Sequence, residues 1–162
     1  MKDKRLDCRF TRDGNWFSYR AGAIIIEDGC VLLATNEKVG YYYSIGGGVH
    51  LGETAQEAAE REAFEETGVK YEAERLAFVH ENMFVDNESR LKGLTCHEIA
   101  FYYIMKPRGV KEIRRESSEC RDGKEHVVFV PIDELKNLTV FPEFYKDKLK
   151  DIPPFIEHVL TR

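Results

Sequence analysis

Residues 46–69 read GGGVHLGETAQEAAEREAFEETGV, and this stretch decides how the rest of the chain is interpreted. Three consecutive glycines lead into a segment that is crowded with glutamates. Thr54 followed by Glu57 is typical of a capping box, and Gly68 stands where a left-handed residue ends a helix. The stretch therefore predicts a glycine loop followed by a helix over residues 54–67.

One face of the predicted helix is lined by small side chains that recur every four residues, namely Ala55, Ala59 and Ala63. Such a face can lie close to a sheet. Glu62 and Glu66 lie on or beside it, and Glu65 is one helical step from Glu62, so the three carboxylates lie close together. Carboxylates in a cluster raise one another's pKa unless a cation holds them ionised, and Mg²⁺ prefers oxygen ligands of this kind.

An isolated pair of glutamates is ordinarily solvated surface, and a lone glycine triplet is ordinarily a loop. Their combination indicates a metal site for phosphate chemistry, where Arg61 can orient Glu65 or Glu53.

Length and composition are consistent with one domain over residues 1–162, since 43% of the residues are hydrophobic and the formal charge is −5. The polar start and the shortness of the apolar runs predict neither a signal peptide nor a membrane span. The cysteines are Cys8, Cys30, Cys96 and Cys120, and their wide spacing favours reduced thiols over disulfides. We therefore expect a cytoplasmic protein.

The remaining sequence predicts strands around the central helix. Asp28-Gly29 between two apolar runs indicates a hairpin. Strands are expected over residues 21–26, 30–34, 41–45, 75–85, 97–105 and 126–130, a helical turn over residues 131–135, and helices over residues 144–150 and 155–160. This order indicates an α/β fold in which helices cover a mixed sheet.

The stretch around the helix resembles the signature of the Nudix hydrolases, G-x5-E-x7-R-E-U-x-E-E-x-G-U, in which U is a bulky aliphatic residue. Every glycine and every charged position of that signature is matched, by Gly47, Glu53, Arg61, Glu62, Glu65, Glu66 and Gly68. Ala63 departs from the usual aliphatic residue, and Ile45 stands where many members have proline. The flanks resemble the family only loosely.

The resemblance implies an α/β/α sandwich with a central mixed sheet, and hydrolysis of a diphosphate bond in a nucleoside diphosphate derivative. It implies Mg²⁺, or alternatively Mn²⁺, bound by Glu62, Glu65 and Glu66 with the Gly46 carbonyl as an additional ligand. Glu53 would be an outer ligand or support, and Arg61 would orient the glutamates. Screening of the diphosphate charge and a base for the attacking water are what this reaction needs.

The base is the least defined part of the predicted site. It lies within the box or downstream of it, where the candidates are Glu112, Glu116, Glu119 and Glu125. We favour Glu119 and Glu125 because they precede the strand over residues 126–130, although each taken alone is more simply explained as a solvated loop charge.

Substrate contacts are predicted for the backbone of Gly47 and Gly48, for His50 in the loop, and for Tyr43 stacking on a nucleobase. Their alternatives are an exposed loop histidine and a tyrosine that faces the core. The basic run Lys106, Arg108, Lys111, Arg114 and Arg115 is either a solvated loop or a phosphate clamp. Cys96-His97 lacks a second pair at zinc spacing.

The main alternative to an enzyme is a catalytically silent Nudix domain that binds a nucleotide-like ligand and regulates a partner. A nucleic-acid-binding module built on the basic run is a third reading, against which the charge of −5 argues. The sequence leaves the substrate open among nucleoside triphosphates, nucleotide sugars, ADP-ribose and dinucleoside polyphosphates. It also leaves the oligomeric state open, and a homodimer is consistent with it.

Overall fold

The computed structural model describes residues 5–87, 89–115, 117–120 and 123–162. The elements follow in chain order as β1 (Arg9–Arg12), β2 (Asn15–Ile24), β3 (Ile26–Glu27), β4 (Cys30–Asn36), β5 (Tyr42–Gly48), α1 (Ala55–Thr67), β6 (Ala73–Val85), β7 (Thr95–Met105), β8 (Ser117–Cys120), β9 (Gly123–Pro131), a 3₁₀ helix (Ile132–Asn137), β10 (Val140–Phe141), α2 (Tyr145–Lys148) and β11 (Glu157–Thr161).

The strands form a mixed sheet in the order β11-β6-β7-β2-β5-β4-β9-β8. Strand β2 runs parallel to β7, and β11 runs parallel to β6. Strand β4 is antiparallel to both β5 and β9. The predicted mixed sheet is therefore confirmed.

Helices pack on both faces of this sheet. On one face, the buried alanines of α1 join Ile45 and Val49 in a hydrophobic core. On the other face, Leu135 of the 3₁₀ helix and Tyr145 of α2 are buried against Phe78. Because each face is covered by helical residues, the architecture is the α/β/α sandwich that the sequence predicted. None of the described helices is long and apolar enough to cross a membrane.

Both ends of α1 form as their residues predict. The Thr54 hydroxyl accepts from the Glu57 amide at 3.2 Å, and the Glu57 carboxylate accepts from the Thr54 amide at 2.8 Å. Gly68 adopts the left-handed conformation at φ 72° and donates its amide to the Phe64 carbonyl at 2.8 Å. The predicted helix is therefore confirmed.

The three glycines lie in a strand rather than in the predicted loop. Strand β5 continues to Gly48, and its antiparallel register with β2 places Arg20 opposite Gly48 and Gly22 opposite Gly46. The predicted hairpin at Asp28-Gly29 forms between β3 and β4, with φ values of 50° and 68° at its turn. The backbone that faces α1 is thus part of the rigid sheet.

The C-terminal helix predicted over residues 155–160 is wrong. Residues 157–161 form β11, which pairs in parallel with β6 from Phe78 to Asn82. The open edge of β6 offers backbone hydrogen bonds to this segment, and tertiary pairing of that kind overrides a weak helical preference. The helix predicted over residues 144–150 is present but shorter, as α2.

A segment near the N-terminus lies along the chain that follows β5. The Cys8 amide donates to the Val49 carbonyl at 2.8 Å, and the Leu51 amide donates to the Leu6 carbonyl at 2.8 Å. Asp7 forms an isolated bridge with His50. These bonds satisfy backbone groups of the connection between β5 and α1, and no local sequence pattern predicts them.

Replacing the helix cap should destabilise the protein measurably. Thr54→Ala removes the hydroxyl that accepts from Glu57, and the free energy of unfolding should fall by about 0.5–2 kcal/mol. Thr54→Ser keeps a capping hydroxyl and should stay close to the parent. Urea unfolding followed by circular dichroism measures both variants, and an equal loss in the two would contradict the role assigned to the cap.

Candidate active site

Glu62 lies directly against the glycine strand. A Cβ atom added at Gly47 would stand 2.3 Å from Oε1 of Glu62, so no side chain fits at Gly47 while the carboxylate keeps its position. Burial raises the pKa of Glu62, although the adjacent Arg61 opposes that shift. The close approach of α1 to β5 therefore brings a partly desolvated carboxylate to the backbone of the glycines.

Glu66 is the most deeply desolvated acid of the helix. The Gly46 amide donates to its Oε1 at 3.0 Å, while its Oε2 is buried and makes no hydrogen bond within the described structure. Burial raises its pKa well above the ordinary value, and the negative charges of Glu125 and Glu62 raise it further against the effect of the Gly46 amide. This carboxylate requires either a proton or a cation.

Arg61 connects the helix to the chain that precedes it. Its guanidinium donates to both oxygens of Glu53, at 2.7 and 3.0 Å, to the Gly48 carbonyl at 3.0 Å and to Glu62 at 2.6 Å. Burial of the Glu53 carboxylate favours its neutral form, but the hydrogen bonds from Arg61 and from the His50 amide prevail and lower its pKa. Glu53 and Arg61 are therefore a built ion pair beside the glycines.

Glu65 is placed differently from the other two predicted metal ligands. Its side chain is 50% exposed, and Arg61 lies 3.5 Å from its Oε1. Among the described residues, no three His, Cys, Asp or Glu side chains already surround a common point closely enough to hold a metal ion. The structure thus brings Glu62 and Glu66 to the glycines and leaves Glu65 on the flank of the helix.

The residues fit a divalent cation even so. The buried Oε2 of Glu66 is an oxygen without a partner in the described structure, and Glu62 lies beside the same strand. The Gly46 carbonyl accepts a long bond, 3.4 Å, from Arg20. Carboxylate and carbonyl oxygens of this kind are the ligands that Mg²⁺ and Mn²⁺ prefer.

A second group of candidate site residues was not predicted from the sequence. Arg20 of β2 lies 3.5 Å from the carboxylate of Glu98 in β7, and its guanidinium reaches the Gly46 carbonyl. Both residues line a cavity of about 320 Å³ that opens beside Gly47 and Gly48, with Trp16, Phe84 and Arg90 on its other walls. The alternation of β2 and β7 could have indicated which of their side chains share a face, but not that this face adjoins the glycines.

His50 and Tyr43 contact protein groups rather than open space. His50 is buried, with Nε2 at 3.3 Å from Asp7 and Nδ1 at 3.6 Å from Glu53. The Tyr43 hydroxyl donates to the carboxylate of Glu125. The substrate contacts of His50 and Tyr43 remain predictions, and both side chains have structural partners. Gly47 and Gly48 line the cavity beside Arg20, and their substrate contacts also remain predictions.

The downstream acids separate into distinct environments. Glu125 of β9 lies near Glu66, since its charge contributes to the raised pKa of that residue. Glu112 is held by Arg108 at 2.8 Å and by Arg114 at 2.7 Å. Glu116 lies outside the described residues, and so does the side chain of Glu119. Of the described acids downstream of the helix, Glu125 therefore lies near the acid cluster.

The side chains of the basic run contact neighbouring acids or a backbone carbonyl. Besides the contacts of Glu112, Lys106 pairs with Glu72, and Lys111 lies 3.7 Å from Asp28. Arg115 donates to the Glu65 carbonyl at 2.6 Å, near the C-terminal end of α1. A cation near the C-terminal end of a helix interacts favourably with the helix dipole, so Arg115 also has a structural partner.

Comparison with models of known protein families identifies the family of this chain. The model of the NUDIX domain matches residues 16–151, so the chain belongs to the Nudix family of hydrolases, which act on phosphoric anhydride bonds. No curated protein matches the chain.

Solved structures show the same fold at low sequence identity. A MutT protein from Bacillus halodurans superposes with a TM-score of 0.63 at 18% identity, covering 87% of this chain and 89% of its own. An ADP-ribose pyrophosphatase from Streptococcus suis gives 0.52 at 15% identity, covering 88% and 98%. A UDP-X diphosphatase gives 0.53 at 21% identity, covering 82% and 59%. At these identities the likeness concerns the fold.

The contribution of Glu66 to the stability of the metal-free protein should decrease as the pH rises. The pKa of Glu66 is raised in the folded state, so its stabilising protonation is complete below the unfolded-state pKa and is lost as the pH rises through the folded pKa. Glu66→Gln removes that titration and should flatten the dependence, whereas Glu60→Gln should keep it. Urea unfolding in EDTA between about pH 4 and about pH 8 measures this. Identical slopes for the parent and Glu66→Gln would contradict the assignment.

Proposed function

We propose that this chain is a Mg²⁺-dependent pyrophosphohydrolase that cleaves a diphosphate bond in a nucleoside diphosphate derivative. The observation that carries the proposal is the buried Oε2 of Glu66, which lies beside the glycine strand and has no hydrogen-bond partner among the described residues. A fold that keeps such an oxygen ionised without a ligand would carry an uncompensated cost. A divalent cation offsets that cost and is what diphosphate hydrolysis needs.

Glu62 and Glu66 are the proposed principal metal ligands, with the Gly46 carbonyl beside them. Glu65 is proposed as a third ligand because its carboxylate is half-exposed and adjacent to Arg61, so it can turn toward a cation without leaving a buried partner. When bound, the cation would screen the diphosphate charge and polarise it toward attack. Mn²⁺ has the same ligand preference and is expected to substitute.

Arg61 and Glu53 are proposed to keep these ligands in place. Arg61 donates to Glu62 and to both oxygens of Glu53, which fixes the direction of the Glu62 carboxylate. The same guanidinium holds the Gly48 carbonyl and thereby the strand against the helix. Neither residue needs to touch the substrate for its loss to impair hydrolysis.

Arg20 is proposed to bind the diphosphate itself. Its guanidinium lies between Glu98 and the Gly46 carbonyl, at distances of 3.5 and 3.4 Å that are long for hydrogen bonds. An anionic phosphate oxygen offers a stronger, charge-assisted partner than either. The adjoining cavity beside Gly47 and Gly48 would then take the moiety beyond the diphosphate, with Trp16 and Phe84 as apolar walls.

The competing function is that of a silent domain that binds a nucleotide-like ligand. It is favoured by the position of Glu65, which does not yet complete a ligand set with Glu62 and Glu66. The two functions are separated by incubating the protein with Mg²⁺ and with EDTA on a panel of nucleoside triphosphates, nucleotide sugars, ADP-ribose and dinucleoside polyphosphates. Metal-dependent release of mononucleotide or phosphate supports the enzyme, and ligand binding without turnover supports the silent domain.

Neutralising single glutamates of α1 should separate the metal ligands from the rest of the helix. Glu66→Gln and Glu65→Gln keep size and helix preference but remove a charge, so kcat/KM should fall on the order of 10²–10⁴-fold on whichever substrate is turned over.

Glu60→Gln is the matched control on the same helix. Glu60 accepts from the Ala73 amide at 2.9 Å, and glutamine retains an oxygen that can accept this bond. Its kcat/KM should therefore stay within about twofold of the parent. Equal losses in Glu60→Gln and Glu66→Gln would show that general negative charge matters, rather than a metal site.

A further inference from the structure

Tyr43 and Glu125 form a pair on the face of the sheet that α1 covers. Tyr43 lies in β5 and Glu125 in β9, with β4 between the two strands. Residue Ala34 of β4 is the register partner of both Tyr43 and Val127, and Tyr43 and Val127 pack against the core beneath α1. Because Glu125 is two residues from Val127, it points to the same face. The Tyr43 hydroxyl donates to Oε2 of Glu125.

Sheet cohesion does not account for this pair. Strand β4 already joins β5 and β9 through ladders of backbone hydrogen bonds, three residue pairs on one side and seven on the other. One side-chain bond that spans β4 adds little to such a sheet. Within the described chain, Glu125 forms no ion pair with a cationic side chain, so the Tyr43 hydroxyl is its principal support.

Glu125 lies close enough to the acids of α1 to interact with them. Its charge and that of Glu62 both raise the pKa of Glu66. Tyr43 orients the carboxylate within this cluster instead of leaving it to turn toward solvent. A fixed acceptor beside the proposed metal ligands is what removal of a proton from an attacking water requires.

We propose that Tyr43 is a positioning residue, whose hydroxyl fixes the Glu125 carboxylate so that Glu125 accepts the proton of the attacking water. This proposal rests on the hydrolytic function proposed above. The water gives one proton to Glu125, and its oxygen forms a bond to a phosphorus of the diphosphate. The bond from that phosphorus to the bridging oxygen breaks, and the departing phosphate keeps the electron pair. Glu125 then returns its proton to solvent.

The test compares Tyr43→Phe with Glu125→Gln on a substrate that the parent hydrolyses. Tyr43→Phe keeps the ring and loses the hydroxyl, so kcat should fall about tenfold while KM changes less than about twofold. Glu125→Gln should lower kcat on the order of 10²–10⁴-fold. The double variant should be no slower than Glu125→Gln alone, since both changes act on one proton transfer.

The neighbouring tyrosines supply matched controls. Tyr41→Phe and Tyr42→Phe remove hydroxyls on the same strand or immediately before it, and both should leave kcat at the parent value. A second readout is the rise in melting temperature caused by Mg²⁺ alone, which Glu125→Gln should retain because Glu125 is not proposed as a metal ligand.

Four outcomes would overturn the proposal. Tyr43→Phe with the kcat of Tyr41→Phe would make the hydroxyl structural. Loss of the Mg²⁺-induced shift in Glu125→Gln would make Glu125 a metal ligand, and full activity in Glu125→Gln would remove it from the reaction. Failure of Tyr43→Phe to fold would likewise make the hydroxyl structural. A parent that hydrolyses no substrate refutes the proposed function itself, whereas an active parent with a silent Tyr43→Phe refutes only this inference.

Discussion

The contact between the small-residue face of α1 and the glycines of β5 is the constraint on which the rest of the site depends. The alanines of the helix are almost fully buried, and Gly47 leaves no room for a side chain beside Glu62. Carboxylates can approach backbone so closely only if something offsets their desolvation. Arg61 supplies part of that compensation through Glu53, Glu62 and the Gly48 carbonyl. Glu66 is left with a buried oxygen that the described protein groups do not satisfy.

The sequence predicted the helix and its neighbours well because the relevant signals are local. Thr54, Glu57 and Gly68 define the ends of α1 through bonds to residues three or four positions away. The spacing of Glu62 and Glu66 then follows from helical geometry. The sequence did not predict that Glu65 is exposed. Three acids at such spacing span more of the helix circumference than the side that faces β5, so they cannot all face that strand.

Features that depend on strand pairing were harder to obtain from sequence. Arg20 and Glu98 are far apart in the chain and meet only because β2 pairs in parallel with β7. Tyr43 and Glu125 likewise face each other across β4, and no local pattern relates them. The helix predicted at residues 155–160 failed for the same reason, since the edge of β6 determined the conformation there.

One local signal was overlooked. Asp13-Gly14, with positive φ at both residues, resembles the turn at Asp28-Gly29 and could have revealed the hairpin of β1 and β2.

The backbone bonds from Leu6 and Cys8 to the chain after β5 bear on where this domain physically begins. Those bonds pair the N-terminal segment with residues 49–51, which connect β5 to Glu53. Leu6 and Cys8 nevertheless lie upstream of the family match, which begins at residue 16 and ends at residue 151. Strand β11 lies beyond the other limit of that match and covers an edge of the sheet. A fragment trimmed to the recognisable family pattern would keep every residue of the signature. It would also expose the underside of the signature's own loop and a bare sheet edge prone to association with other chains.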